Sequence, residues 1–150
     1  MSDSVQICTF YLDDLLLGID VQQVQEVIRY QPMTPVPLAP PVVAGLINLR
    51  GQIVTATDLR LLLGMAPTDF SAARPMNVVI RNEVGTVSLL VDEIGDVIEV
   101  SAADFEPSPS TLPHALRTIS VGVYKLPRAL LLLLNTDELI TSGSSQAAAA

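Results

Sequence analysis

Short apolar segments, rich in β-branched and aromatic residues and punctuated by turn signals, predict a mainly β protein built as two small barrels. Three observations carry this. About ten such segments recur along the 150 residues. Helical periodicity is confined to a few short stretches, and two proline-rich connections divide the strands so that the pattern repeats once in outline. The length suits about one domain or two very small barrels.

The first segment, Val5 to Leu12, is interrupted by Asp13-Asp14 and resumes from Leu15 to Ile19, which predicts a hairpin. Asp13 and Asp14 read as solvated turn acids, because no nearby histidine or third carboxylate joins them. Asp20 with Gln23 resembles a capping box, and Val21, Val24, Val27 and Ile28 recur at three- and four-residue spacing, which predicts a short helix ended before Pro32. The β-branched content of the same stretch leaves a strand as the alternative. Pro32, Pro35, Pro37, Pro40 and Pro41 impose an extended connection.

Val42 to Leu49 and Gln52 to Thr57 are strands joined through Arg50-Gly51. Asp58-Leu59-Arg60 leads into a single helical turn closed by Gly64. Residues 66–75 read as a loop, and three strands follow over Met76 to Arg81, Val84 to Val91 and Asp96 to Val100, with breaks at Asn82-Glu83 and from Glu93 to Gly95. A second proline-rich stretch, Pro107 to Pro113, precedes strands over Ile119 to Tyr124 and Ala129 to Leu134. Asn135 then caps a final short helix through Ile140. From Ser142 onward nothing is available to bury, so the tail is expected to be disordered.

Composition narrows the function. Net charge is −8, which repels nucleic acid and anionic lipid, and seven of the eight basic side chains are Arg. Six aromatics and no Trp offer few stacking platforms. No apolar run approaches the ~20 residues that span a bilayer, and the N-terminus carries no secretory pattern, so a cytoplasmic protein is expected. Cys8 reads as a small core residue. Small barrels leave apolar area exposed, and such patches rimmed by charge suit a partner-binding surface.

Catalytic chemistry finds no foothold. His114, the single histidine, lies in a loop-like segment without ligand-spaced neighbours. Asp92 and Glu93 are adjacent on a strand and would point to opposite faces, so they do not converge as an acid/base pair. The glycines form no phosphate cradle. The expectation is a protein that is not an enzyme and needs no metal or cofactor.

The segment Gly45-Leu46-Ile47-Asn48-Leu49-Arg50-Gly51-Gln52-Ile53-Val54 with Asp58-Leu59-Arg60 resembles the signature region of the CheW family of chemotaxis coupling proteins. Phe10 with Gly18-Ile19-Asp20, Val24-Gln25-Glu26-Val27, Val91-Asp92-Glu93-Ile94 with Asp96-Val97, and Leu132-Leu133-Leu134-Asn135 match in order and spacing. Together they cover roughly residues 5–141. The resemblance implies two intertwined five-stranded barrels of SH3-like or OB-like form around a shared core. Residues 1–141 would be one domain of two subdomains divided near residues 75–83, and 142–150 the tail.

The resemblance also implies a non-catalytic adaptor in the cytoplasm, associated with membrane receptor arrays. It would bind the hairpin tip of chemoreceptors, the regulatory domain of a CheA-type histidine kinase, and other CheW-like domains in rings. Its receptor-facing groove would map onto Val24, Glu26, Val27, Gly45, Asn48, Leu49 and Arg50; the kinase-facing residues are not assigned. Val24 could equally be a core residue, and Arg50 a solvated hairpin charge. Thr55-Ala56-Thr57 departs from the family pattern of a proline and larger apolar residues. A paralogous system, such as one driving pilus motility, is therefore an alternative to the flagellar pathway.

Overall fold

The computed structural model describes residues 4–70 and 74–149, with side chains through Ser142. Eleven strands in this region form two sheets. The first has the order β8-β1-β2-β11-β10-β9, from β1 (Ser4–Leu12), β2 (Leu15–Asp20), β8 (Glu93–Ser101), β9 (Phe105–Pro107), β10 (Ser120–Lys125) and β11 (Leu130–Leu134). The second is ordered β3-β6-β7-β5-β4, from β3 (Val24–Ile28), β4 (Val43–Leu49), β5 (Gln52–Asp58), β6 (Met76–Arg81) and β7 (Thr86–Val91).

Both hydrogen-bonded ladders are open, so the expected five-stranded barrels appear as a six-stranded and a five-stranded sheet. The sheets are intertwined rather than in tandem. The chain starts in the first sheet, enters the second after Asp20, returns after Val91 and closes by pairing β11 with β2 in parallel. Parallel pairs such as β2 with β11, and β5 with β7, need long crossovers, which local pattern cannot reveal.

The main core lies between the sheets. Phe10, Leu12, Leu17 and Ile19 of β1 and β2 pack with Val78, Ile80, Val87 and Leu89 of β6 and β7, and with Leu139 and Ile140 of the last helix. A smaller cluster of Ile47, Leu49, Val54, Ala56 and Val79 fills the other face of the second sheet. Cys8 is buried as expected, and burial pushes its thiol up.

Several elements differ from the sequence pattern. The stretch predicted as a helix from Val21 to Ile28 is a single 3-10 turn, Val21–Gln23, followed by strand β3. Asp20 caps that turn by accepting from the Gln22 amide at 2.9 Å. A bulge explains the misleading spacing. Val24 pairs with Ile80 and Val27 with Val78, with a register shift between Val24 and Glu26. The extra residue places Val24 and Val27 on one face at a separation of three, which imitates a helix.

Glu93 to Gly95, expected as a break, belongs to β8 and pairs with the end of β1. The second proline-rich connection holds the short strand β9 and a helix, α2 (His114–Ile119), beyond α1 (Leu59–Leu62). His114 is thus the exposed first residue of a helix rather than part of a loop. The final helix, α3 (Thr136–Ala149), runs past Ile140 into the stretch expected to be disordered. Its alanines are strong helix formers. Residues 71–73 of the expected loop, and Ala150 of the expected tail, lie outside the described residues.

Candidate functional site

Two surface clusters gather the charged residues that the sequence singled out. The first joins β3 to the β4–β5 hairpin. Arg50 and Gly51 both have positive φ, 52° and 86°, and Leu49 pairs directly with Gln52. This is a two-residue type I′ turn, whose twist matches the flanking strands. Glycine suits its second position, whereas an arginine at the first holds a backbone conformation that costs about 1 kcal/mol or more. The Asn48 side chain accepts from the Gly51 amide at 2.9 Å and supports the turn.

The strained turn aims Arg50 at β3, where its Nη1 donates to Glu26 Oε2. That hydrogen bond holds the Glu26 carboxyl below its ordinary range against the opposing effect of desolvation, and in return raises the Arg50 guanidinium. Val27, on the opposite face of the strand from Glu26, is 37% exposed. Val24 is half-buried and packs on the main core.

The seven residues assigned by resemblance therefore divide. Glu26, Val27, Asn48 and Arg50 reach the surface, with Val24 at its margin. Leu49 is buried in the smaller cluster. Gly45 is buried too, and a Cβ there would meet the Thr34 carbonyl oxygen at 2.9 Å. Its lack of a side chain lets the proline-rich segment cross, where Thr34 and Leu46 exchange two backbone hydrogen bonds of 2.8 Å.

The second cluster was not visible in the sequence as a unit. Asp58 caps α1, accepting from the Arg60 amide at 3.1 Å, and Thr68 binds the same carboxylate. Arg60 then extends from α1 to two carboxylates. Its Nε donates to Asp92 Oδ1 at 3.0 Å and its Nη2 to Asp92 Oδ2, a bidentate pair. The same Nη2 donates to Asp13 Oδ1 at 2.6 Å.

The Asp13 amide donates to Asp92 at 2.7 Å, which ties the β1–β2 turn to the β7–β8 crossing. Desolvation favours the neutral form of Asp92, but Arg60 and the Asp13 amide outweigh it and hold the carboxyl below its usual range. The same two carboxylates raise the Arg60 guanidinium further. Asp13 and Asp92 are thus not free turn acids: both pair with one arginine, which offsets one of their two charges. Sequence signals existed only singly, because the three residues are brought together by tertiary contacts over separations of 32 and 47 positions.

His114 hydrogen-bonds within its own helix, where Thr118 Oγ1 donates to its carbonyl oxygen at 3.0 Å. Among the described residues no group of three His, Cys, Asp or Glu side chains is placed to hold a metal ion. Among the described residues no helix is long and apolar enough to cross a membrane.

Fold and site together define a two-sheet β domain whose clustered charges are ion pairs between surface elements. The model of the CheW-like domain family matches residues 6–144, and the chain belongs to that family. It is 29% identical over 143 residues to a chemotaxis protein CheW of Rhizobium meliloti, covering 95% of this chain and 92% of the relative. With the chemotaxis protein CheW of Treponema pallidum the identity is 30% over 147 residues, covering 96% and 86%. The crystal structure of the scaffolding protein TtCheW from Thermoanaerobacter tengcongensis superposes with a TM-score of 0.78 at 25% identity, over 87% of this chain and 88% of that one.

Proposed function

We propose that this chain is a non-catalytic adaptor of bacterial chemosensory signalling. It joins the cytoplasmic hairpin tip of a chemoreceptor to the regulatory domain of a CheA-type histidine kinase. Membership of the CheW-like family supports the class of function, and the Glu26–Arg50 pair on the edge strand β3, whose other face leaves Val27 partly exposed, is the observation that carries the receptor side. A receptor tip is an amphipathic helical hairpin. An exposed valine accepts its apolar ridge, and a charge pair on rigid strands fixes the register. The pair is already satisfied within the chain, so it adds orientation and selectivity more than affinity.

The adaptor works in the cytoplasm at membrane-bound arrays, where rings of CheW-like domains link neighbouring receptors. The receptor and kinase encoded beside it determine whether the output is flagellar or, as in pilus motility, another.

Binding of a soluble receptor-tip fragment to the wild-type chain and to Arg50→Asp and Val27→Asp variants tests the receptor surface. Val27 is a better apolar probe than Val24, because a charge at Val24 would also disturb the core. Each variant should bind at least about tenfold more weakly with an unchanged melting temperature. Unaltered affinity in both would reject this surface. Kinase autophosphorylation reconstituted with receptor, kinase and chain should fall when the chain is omitted.

A further inference from the structure

Asn77 on β6 and Ser88 on β7 are polar side chains placed where the second sheet otherwise buries apolar ones, and both are fully buried. Ser88 stands opposite Val79 and Ala56, members of the smaller apolar cluster, and Asn77 stands opposite Ile28, which packs against it. Ser88 Oγ donates to Asn77 Oδ1 at 2.8 Å, and Asn77 Nδ2 donates to the carbonyl oxygen of Arg29 at 3.3 Å.

An apolar pair would fill this space without desolvating an amide and a hydroxyl, so packing does not account for the choice. The network has one outlet, the backbone just beyond β3. That strand is the edge of its sheet and carries the bulge between Val24 and Glu26. An edge strand is held by one neighbour, and a shift of one residue would turn every side chain to the other face. Glu26 would leave Arg50, and Val27 would leave the face that it shares with Val24.

We propose that Asn77 and Ser88 form a register lock for β3, pinning the strand downstream of its bulge so that Glu26 faces Arg50 and Val27 stays on the face that it shares with Val24. Both are positioning residues. The lock itself follows from the geometry, and only its consequence for receptor binding rests on the adaptor reading.

The test uses the full chain with Asn77→Leu and Ser88→Ala. Site-resolved amide exchange compares the β3 amides that bond β6 with amides of β5 and β7, and carbon NMR follows the Glu26 carboxyl titration. In Asn77→Leu, exchange of those β3 amides should rise at least about tenfold while β5 and β7 are unchanged. Glu26 should titrate closer to an ordinary glutamate, and receptor-tip affinity should fall. Ser88→Ala should move the same readouts in the same direction by about threefold, and it decides the matter if Asn77→Leu does not fold.

Exchange and titration that match wild type, or exchange that rises equally in all three strands, would overturn the lock. Absence of receptor-tip binding by the wild-type chain would reject the adaptor reading, while exchange and titration still decide the lock.

Discussion

Replacing Arg60 by alanine should destabilise the protein by about 3 kcal/mol, and the size follows from what the guanidinium holds. Its side chain is 14% exposed, against 26% for Asp92 and 64% for Asp13. The bidentate contact with the largely sheltered Asp92 is charge-assisted and contributes about 1.5–3 kcal/mol. Solvent screens the Asp13 contact, which contributes about 0.5 kcal/mol. The variant also leaves Asp92 beside a second carboxylate with only the Asp13 amide in compensation. For a chain of this length about 3 kcal/mol corresponds to a melting temperature lower by roughly 6–12 °C.

Thermal and urea unfolding followed by circular dichroism would measure the change, and a double-mutant cycle with Asp92→Asn isolates the pair. Arg60→Lys should recover part of the loss, because lysine keeps the charge without the planar fork. A coupling between Arg60 and Asp92 below about 0.5 kcal/mol would refute the claim that this arginine fastens the β7–β8 crossing and the β1–β2 turn to α1.

Acid should act on the same cluster. A carboxyl held below its unfolded-state value contributes stability that is present above about pH 4 and is lost as pH falls through the folded-state value, so wild type should lose stability in that window more steeply than Asp92→Asn. Thr57 is fully buried and its hydroxyl has no hydrogen-bond partner, so Thr57→Val should raise stability by about 1 kcal/mol in urea titrations. Gly45→Ala should cost about 1–3 kcal/mol, since the new methyl would press on the Thr34 backbone and Met33 Cβ, both at 2.9 Å; chemical unfolding compares it with wild type.

Much of the strand framework was legible in the sequence because its signals are local. The Asp13-Asp14 turn, the Arg50-Gly51 hairpin and the single helical turn before Gly64 each depend on residues adjacent in the chain, and each occurs where the pattern placed it. The same locality made β3 misleading, since a bulge gives a strand the three-residue spacing of a helix. Burial of Gly45 and Leu49 was equally hidden, because a signature motif records which residues a fold keeps without separating those that support the turn from those that face outward.

The sequence by itself determined the class of fold, the family, and the Asn48-Leu49-Arg50-Gly51 turn on which the candidate surface rests. Tertiary structure alone decided which strands pair across the crossovers, that Glu26 meets Arg50, and that Arg60 gathers Asp13 and Asp92 from distant parts of the chain. The physical reason is range. Turns and caps are set by backbone sterics within a few residues, whereas ion pairs and parallel strand pairing arise only after the crossovers have closed.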